Sequence, residues 1–169
     1  MAKEIEEIAG ITTASNPAKA EEDFIKGLLA AAEFKNDEAL RQPITIKRAG
    51  KEYFTFTVRP LSNEEFQTAR KKATKYMSNP QNRKLPPIEK DFDNAAFHYW
   101  LIYFATIDED REKVWNNAEL KKQFSLIQPI DSIELLLMPG ERTRIVDIIM
   151  DISGLSADEE LTTEDAVKN

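Results

Sequence analysis

Between Asn94 and Ile107 the chain carries its longest nearly uninterrupted apolar run, Asn-Ala-Ala-Phe-His-Tyr-Trp-Leu-Ile-Tyr-Phe-Ala-Thr-Ile. At about 100° per residue, Trp100, Ile107, Phe104, Phe97, Leu101 and Ala105 fall on one wide arc, while Tyr99, Tyr103, Thr106 and His98 share the other side with Ile102. Such a helix has almost no face fit for water, so it is expected to lie across the middle of a domain with elements packed on both sides. It is too short for a bilayer, which needs roughly 20 apolar residues.

Ahead of this run the period changes twice. From Glu21 to Phe34, Phe24, Leu28 and Ala31 or Ala32 recur at helical intervals behind Glu21, Glu22 and Asp23, whose charges suit a helix start. From Gln42 to Pro60 the pattern alternates instead, with Ile44 and Ile46 on one face of a first strand and Phe54, Phe56 and Val58 on one face of a second. Arg48-Ala49-Gly50-Lys51 supplies the tight turn of a β-hairpin, because Gly50 tolerates positive φ. The second strand must stop at Pro60, which cannot donate to a ladder.

Leu61-Ser62-Asn63-Glu64-Glu65-Phe66 then reads as a capping box with a hydrophobic staple. The helix it opens is expected to run to about Met77, with Phe66, Ala69, Ala73, Tyr76 and Met77 on a narrow apolar stripe and Arg70, Lys71, Lys72 and Lys75 on the rest. Three prolines between Ser78 and Lys90 predict a loop or flap leading to Asp91 or Asp93 as the cap of the central helix. The capping device recurs at Trp115-Asn116-Asn117-Ala118-Glu119-Leu120, with Asn116 as the cap, and at Ile130-Asp131-Ser132-Ile133-Glu134-Leu135. Met138-Pro139-Gly140-Glu141 breaks the helix of Ile133, Leu136 and Leu137. Ile145, Ile148, Ile149 and Ile152 then mark an amphipathic helix that Gly154 should close, with Leu155 folding back on Met150.

These elements predict an α+β fold, mainly helical, with an N-terminal β-hairpin packed on the central apolar helix. Length adds that one domain is enough: a disordered arm at 1–20, a single globular domain at 21–155, and an acidic flexible tail at 156–169. No repeat of 20 to 50 residues is present. A net charge of −7 argues against broad affinity for nucleic acid. With no cysteine, disulfides, thiolate metal sites and cysteine nucleophiles are excluded. The opening Met-Ala-Lys-Glu-Ile-Glu-Glu has no apolar core of a secretory signal, so a cytoplasmic location is expected.

Chemistry-bearing patterns are few. His98 is the single histidine, set in the most apolar helix with no nucleophile motif beside it. Asp108, Asp110, Glu112 and Glu119 fall at positions 1, 3, 5 and 12 of a calcium-loop count, but position 6 is Lys113 where that loop needs glycine. There is no phosphate-binding glycine loop. An enzyme is disfavoured, and no metal or cofactor is expected. The basic face of Arg70, Lys71, Lys72 and Lys75 is either an ordinary solvated helix surface or a site for an acidic partner; in the second case the alternative function is a nucleic-acid-binding regulator.

Three stretches carry a resemblance: Val58-Arg59-Pro60-Leu61-Ser62-Asn63-Glu64-Glu65 followed by Ala69-Arg70-Lys71-Lys72-Ala73-Thr74; Ala105-Thr106-Ile107-Asp108 with Trp115 after it; and Leu136-Leu137-Met138-Pro139-Gly140-Glu141 closing on Ile152-Ser153-Gly154-Leu155. In this order and spacing the chain, from about Ile44 to Leu155, resembles the XkdN-like tail assembly chaperones of tailed phages and defective prophages of Gram-positive bacteria. The resemblance implies a non-enzymatic protein that coats the tape-measure protein, keeps it soluble and recruits tail-tube subunits before leaving the particle. Self-association would be compatible with it, and neither nucleic acid nor membrane is an expected partner. Apolar residues near element ends, Phe92, Trp115, Leu137 and Met138, with Glu141 as a rim charge, are the expected partner contacts. The competing reading makes them ordinary staples and core residues.

Overall fold

The computed structural model of the protein describes residues 16–36 and 38–155. They fall into two units divided at residue 37. The tail expected at 156–169 lies outside the described residues, and so does the expected arm except for 16–20.

The first unit is the helix α1, Pro17–Phe34. It starts earlier than the acidic triplet suggested, because Asn16 accepts from the Ala18 amide and Pro17 stands at the first helical position, where its missing N–H costs nothing. No residue of α1 is buried.

The second unit opens with a 3₁₀ turn, Glu38–Leu40, and the antiparallel strands β1, Gln42–Arg48, and β2, Lys51–Val58. Arg48 opposes Lys51, so the connection is a two-residue turn in which both Ala49 (φ 50°) and Gly50 (φ 78°) have positive φ. Ile44, Ile46, Phe56 and Val58 face the core, as the alternation requires.

Helix α2, Asn63–Ala73, begins at the full capping box: the Glu65 amide donates to Ser62 Oγ, and the Ser62 amide donates to the Glu65 carboxylate. It ends one turn sooner than the apolar spacing predicts. Thr74–Met77 is the strand β3, and it pairs antiparallel with β4, Ile88–Phe92, across the proline-bearing loop. The stripe that placed Tyr76 and Met77 on a helix is equally a strand pattern. Pairing decides between them, since Asp93 donates its amide to the Ala73 carbonyl and locks β4 beside the helix end. A second, small hairpin therefore stands where a helix tail and a flap were expected.

Helix α3, Asn94–Ala105, is the central apolar helix, capped by Asp93 accepting from the Ala96 amide. Leu101, Ile102 and Ala105 are fully buried, and α2, α6 and α7 all pack against it. Its C-terminus turns into α4, Asp108–Asp110, which runs on into a π-helical turn, Arg111–Trp115. Helix α5, Ala118–Phe124, is capped by Asn117, whose side chain accepts from the Leu120 amide, and not by Asn116. Asn116 instead bonds Glu112 and the Tyr103 hydroxyl. Helix α6, Asp131–Leu136, has no side-chain cap. Asp131 reaches back to the Ile127 and Gln128 amides and closes the preceding loop.

Helix α7, Pro139–Ile152, ends as its sequence predicts. Gly154 has φ 70°, its amide and that of Leu155 return to Asp151 and Met150, and the last carbonyls are satisfied. One core joins these pieces, running from Ile44 and Phe56 through Leu101 and Ile102 to Ile145 and Ile149.

Candidate interaction surfaces

Of the five residues that sequence marked as partner contacts, three are built into the fold. Trp115 is fully buried at the end of the π turn. Its ring meets Phe56 and Phe54 of β2 edge-on at 5.0 and 6.1 Å, so this indole is the surface on which the hairpin's aromatic face rests. Its Nε1 donates to Thr106 Oγ1 (2.9 Å), and that hydroxyl donates to the Ile102 carbonyl (2.7 Å), leaving no polar atom of the buried pair unpaired. Leu137 is likewise buried. These two offer nothing to a partner directly: the apolar side chains that close an element start also close the core.

Glu141 is not a rim charge. Its carboxylate takes two hydrogen bonds from Arg48, from Nε at 2.9 Å and Nη2 at 2.8 Å, and one from the Met138 amide at 2.8 Å. The Arg48 hydrogen bonds chiefly hold the carboxyl below its ordinary range, and the Met138 amide adds to them. Arg48 Nη2 also donates to the Leu136 carbonyl at 2.6 Å, so the hairpin's turn end is clamped to the junction of α6 and α7.

The remaining two are exposed, Phe92 by 42% and Met138 by 55%, and they stand on separate elements. Phe92 ends β4 with its ring 5.4 Å from Phe97. Met138 precedes α7 beside the Arg48–Glu141 pair.

Two larger apolar surfaces escaped the choice of residues. The first is α1, where Phe24, Ile25, Leu28 and Leu29 are each about half exposed or more. At 100° per residue they share one side with Ala20, Ala31 and Ala32, while Lys19, Glu22, Lys26 and Glu33 share the other. The spacing was legible; that no described residue of this unit buries it was not. The second is the β3–β4 hairpin, with Tyr76, Met77, Ile88 and Phe92 all exposed. A two-stranded ribbon has two open edges, and its neighbouring loop adds the exposed Leu85.

Between α2 and this ribbon lies an open groove of about 530 Å³, lined on the helix side by Gln67, Thr68, Arg70 and Lys71 and on the ribbon side by Tyr76 and Glu89. Glu64 also borders it. Lys72, on the same basic helix, sits 4.5 Å from the Trp100 ring.

The titratable groups weighed for chemistry are occupied otherwise. His98 is partly buried and its Nδ1 has no partner among the described residues; burial first, then the charge of Arg142, lowers its pKa, with Asp147 opposing. Asp110 accepts from the Thr57 amide at 2.7 Å, Glu112 from Asn116, and Asp108 pairs with Arg111. Arg111 turns its other donors onto the Tyr103, Phe104 and Thr106 carbonyls, capping the end of α3. Among the described residues no cluster of three histidines or carboxylates could hold a metal ion, and no helix is long and apolar enough to cross a membrane.

In sequence, residues 25–168 match the family model of the phage XkdN-like tail assembly chaperone protein. No curated protein matches the chain. In structure, the chain is similar to the crystal structure of the protein yqbn, with a TM-score of 0.42 and 11% identity over 69% of this chain and 87% of that one.

Proposed function

This chain belongs to the XkdN-like phage tail assembly chaperones, and from that premise we propose that it acts without catalysis, in the host cytoplasm, by holding the tape-measure protein soluble while the tail is built. The observation that supports this most is the apolar side of α1, carried on an 18-residue helix of which no residue is buried. Most of a helix's stability in a protein comes from packing its apolar face rather than from propensity. The apolar side of α1 finds its stabilising contacts on a partner, and a long amphipathic helix, such as a tape measure provides, lays its own apolar stripe against such a face.

Phe92 and Met138 supply further contacts in this reading, on the second unit. Trp115, Leu137 and Glu141 serve behind the surface, fixing the elements that present them. Recruitment of tail-tube subunits would use surfaces left free once the tape measure is bound.

Co-expression with a tape-measure protein tests the proposal, with size-exclusion chromatography and light scattering on the soluble fraction. The expected result is a tape measure that is soluble only in this protein's presence and co-elutes with several copies of it. A tape measure that stays insoluble while this protein elutes alone overturns the proposal.

A further inference from the structure

We propose that the acidic segment 156–169 docks back onto its own chain, in the groove between α2 and the β3–β4 ribbon, with its carboxylates on Arg70 and Lys71. This proposal does not depend on the identity of the tail partner.

The charge distribution is the first argument. Residues 156–169 hold five carboxylates, Asp158, Glu159, Glu160, Glu164 and Asp165, against one cation, Lys168, so −4 of the chain's −7 lies in fourteen residues. The stretch from Asn63 to Phe92 is the opposite, with seven Lys and Arg against four carboxylates, a local excess of +3 in an acidic protein. One of those four, Glu65, is taken by Arg59 through two hydrogen bonds at 2.6 and 3.0 Å. Arg70 and Lys71 are exposed and make no ion pair among the described residues. Cations left unpaired in a groove attract whatever carboxylates are held nearby.

The second argument is where the described chain ends. The Leu61 amide donates to Ser153 Oγ at 2.9 Å, which pins the end of α7 to the start of α2, and Leu155 follows two residues later. From Ser62 to Arg70 is eight residues along the helix axis, about 12 Å at 1.5 Å per residue. Glu159 to Asp165 lie four to ten residues beyond Leu155, a reach of up to roughly 13 to 36 Å. The carboxylates are therefore tethered within range, and a short tether raises their effective concentration to about the millimolar scale. Glu64 and Glu89 repel the segment from their own ends of the groove and set its register toward Arg70 and Lys71.

Because the chain has no cysteine, Thr162→Cys gives a single site for a nitroxide label on the full chain. The expected result is selective broadening of the Gln67, Thr68, Lys71 and Thr74 amide signals at low ionic strength. The broadening should vanish on raising the salt to about 0.5 M, where charges more than a few ångströms apart are screened. It should also vanish in the Arg70→Glu/Lys71→Glu double variant, or in Arg70→Gln/Lys71→Gln if charge reversal disturbs signals from the core. Broadening that is absent from α2, or unchanged by these variants, overturns the proposal. A mixture of nitroxide-bearing chain at natural nitrogen abundance with nitrogen-15 chain lacking the nitroxide separates the remaining case: broadening transferred to the second copy means docking between chains and also overturns it.

Discussion

Arg48 and Glu141, ninety-three positions apart, form a two-pronged ion pair at 2.8 and 2.9 Å that closes the hairpin's turn against the start of α7. Nothing local predicts it. Arg48 reads as a turn-flanking cation and Glu141 as a first-turn acid, and each makes that local sense; the fold adds the second use.

The pair and its counterpart Arg59–Glu65 make stability depend on pH in a definite direction. Arg48 holds the Glu141 carboxyl below its ordinary value; burial pushes Glu65 up, but bonds from Arg59 and Ser62 outweigh it and leave it lowered too. A depressed folded-state value means stabilisation that is complete above the unfolded carboxyl pKa of about 4.3 and is lost as pH falls through the folded values. Urea unfolding between pH 7 and pH 3 should show this loss, and Glu141→Gln together with Glu65→Gln should flatten it. An equal slope in the double variant counts against the assignment.

Trp115→Ala should cost about 3–5 kcal/mol by emptying the space on which Phe54 and Phe56 rest. Thr106→Val keeps the volume but leaves the indole N–H buried without an acceptor, at about 1–3 kcal/mol. Denaturant titrations check both. Neither residue is a clean probe of partner binding, since its loss acts through the core.

Ala49 has φ 50° at the first turn position, where a side chain bearing Cβ is strained. Ala49→Asn creates the Asn-Gly pair that a turn with two positive-φ residues favours. It should raise stability by about 0.5–1 kcal/mol, read as a higher melting temperature, and its exposed position leaves room for the larger side chain.

Leu28→Glu with Leu29→Glu should leave the melting of the 38–155 unit unchanged, because these residues are exposed and belong to none of its core. The same variant should abolish tape-measure solubilisation in the co-expression assay. Phe92→Ser with Met138→Ser should weaken it by about tenfold or more, the loss expected from about 1.4 kcal/mol of contact. Full solubilisation by the α1 variant would remove that helix from the interface.

Much of the fold lies in short-range chemistry and is legible from it. The β-hairpin, the Ser62 capping box, the central apolar helix and the Gly154 helix end all follow from residues close together in the chain. The resemblance carried by residues 58–74, 105–115 and 136–155 likewise names the family that the match over residues 25–168 establishes. Burial was less legible, because a side chain at an element end looks the same whether the core or the solvent lies beyond it.

Sequence by itself determined the elements, since caps, turns and periodicity act over a few residues and need no distant partner. Tertiary structure decided the rest. Thr74–Met77 became a strand because β4 returned beside it, and Asn116 yielded its cap to Asn117 because Tyr103 and Glu112 engaged it. Trp115 went inward while Met138 stayed out, because Phe56 and Thr106 were there to receive the indole. Burial is a property of what packs alongside, and pairs as far apart as Arg48 and Glu141 are joined only when the whole chain has folded.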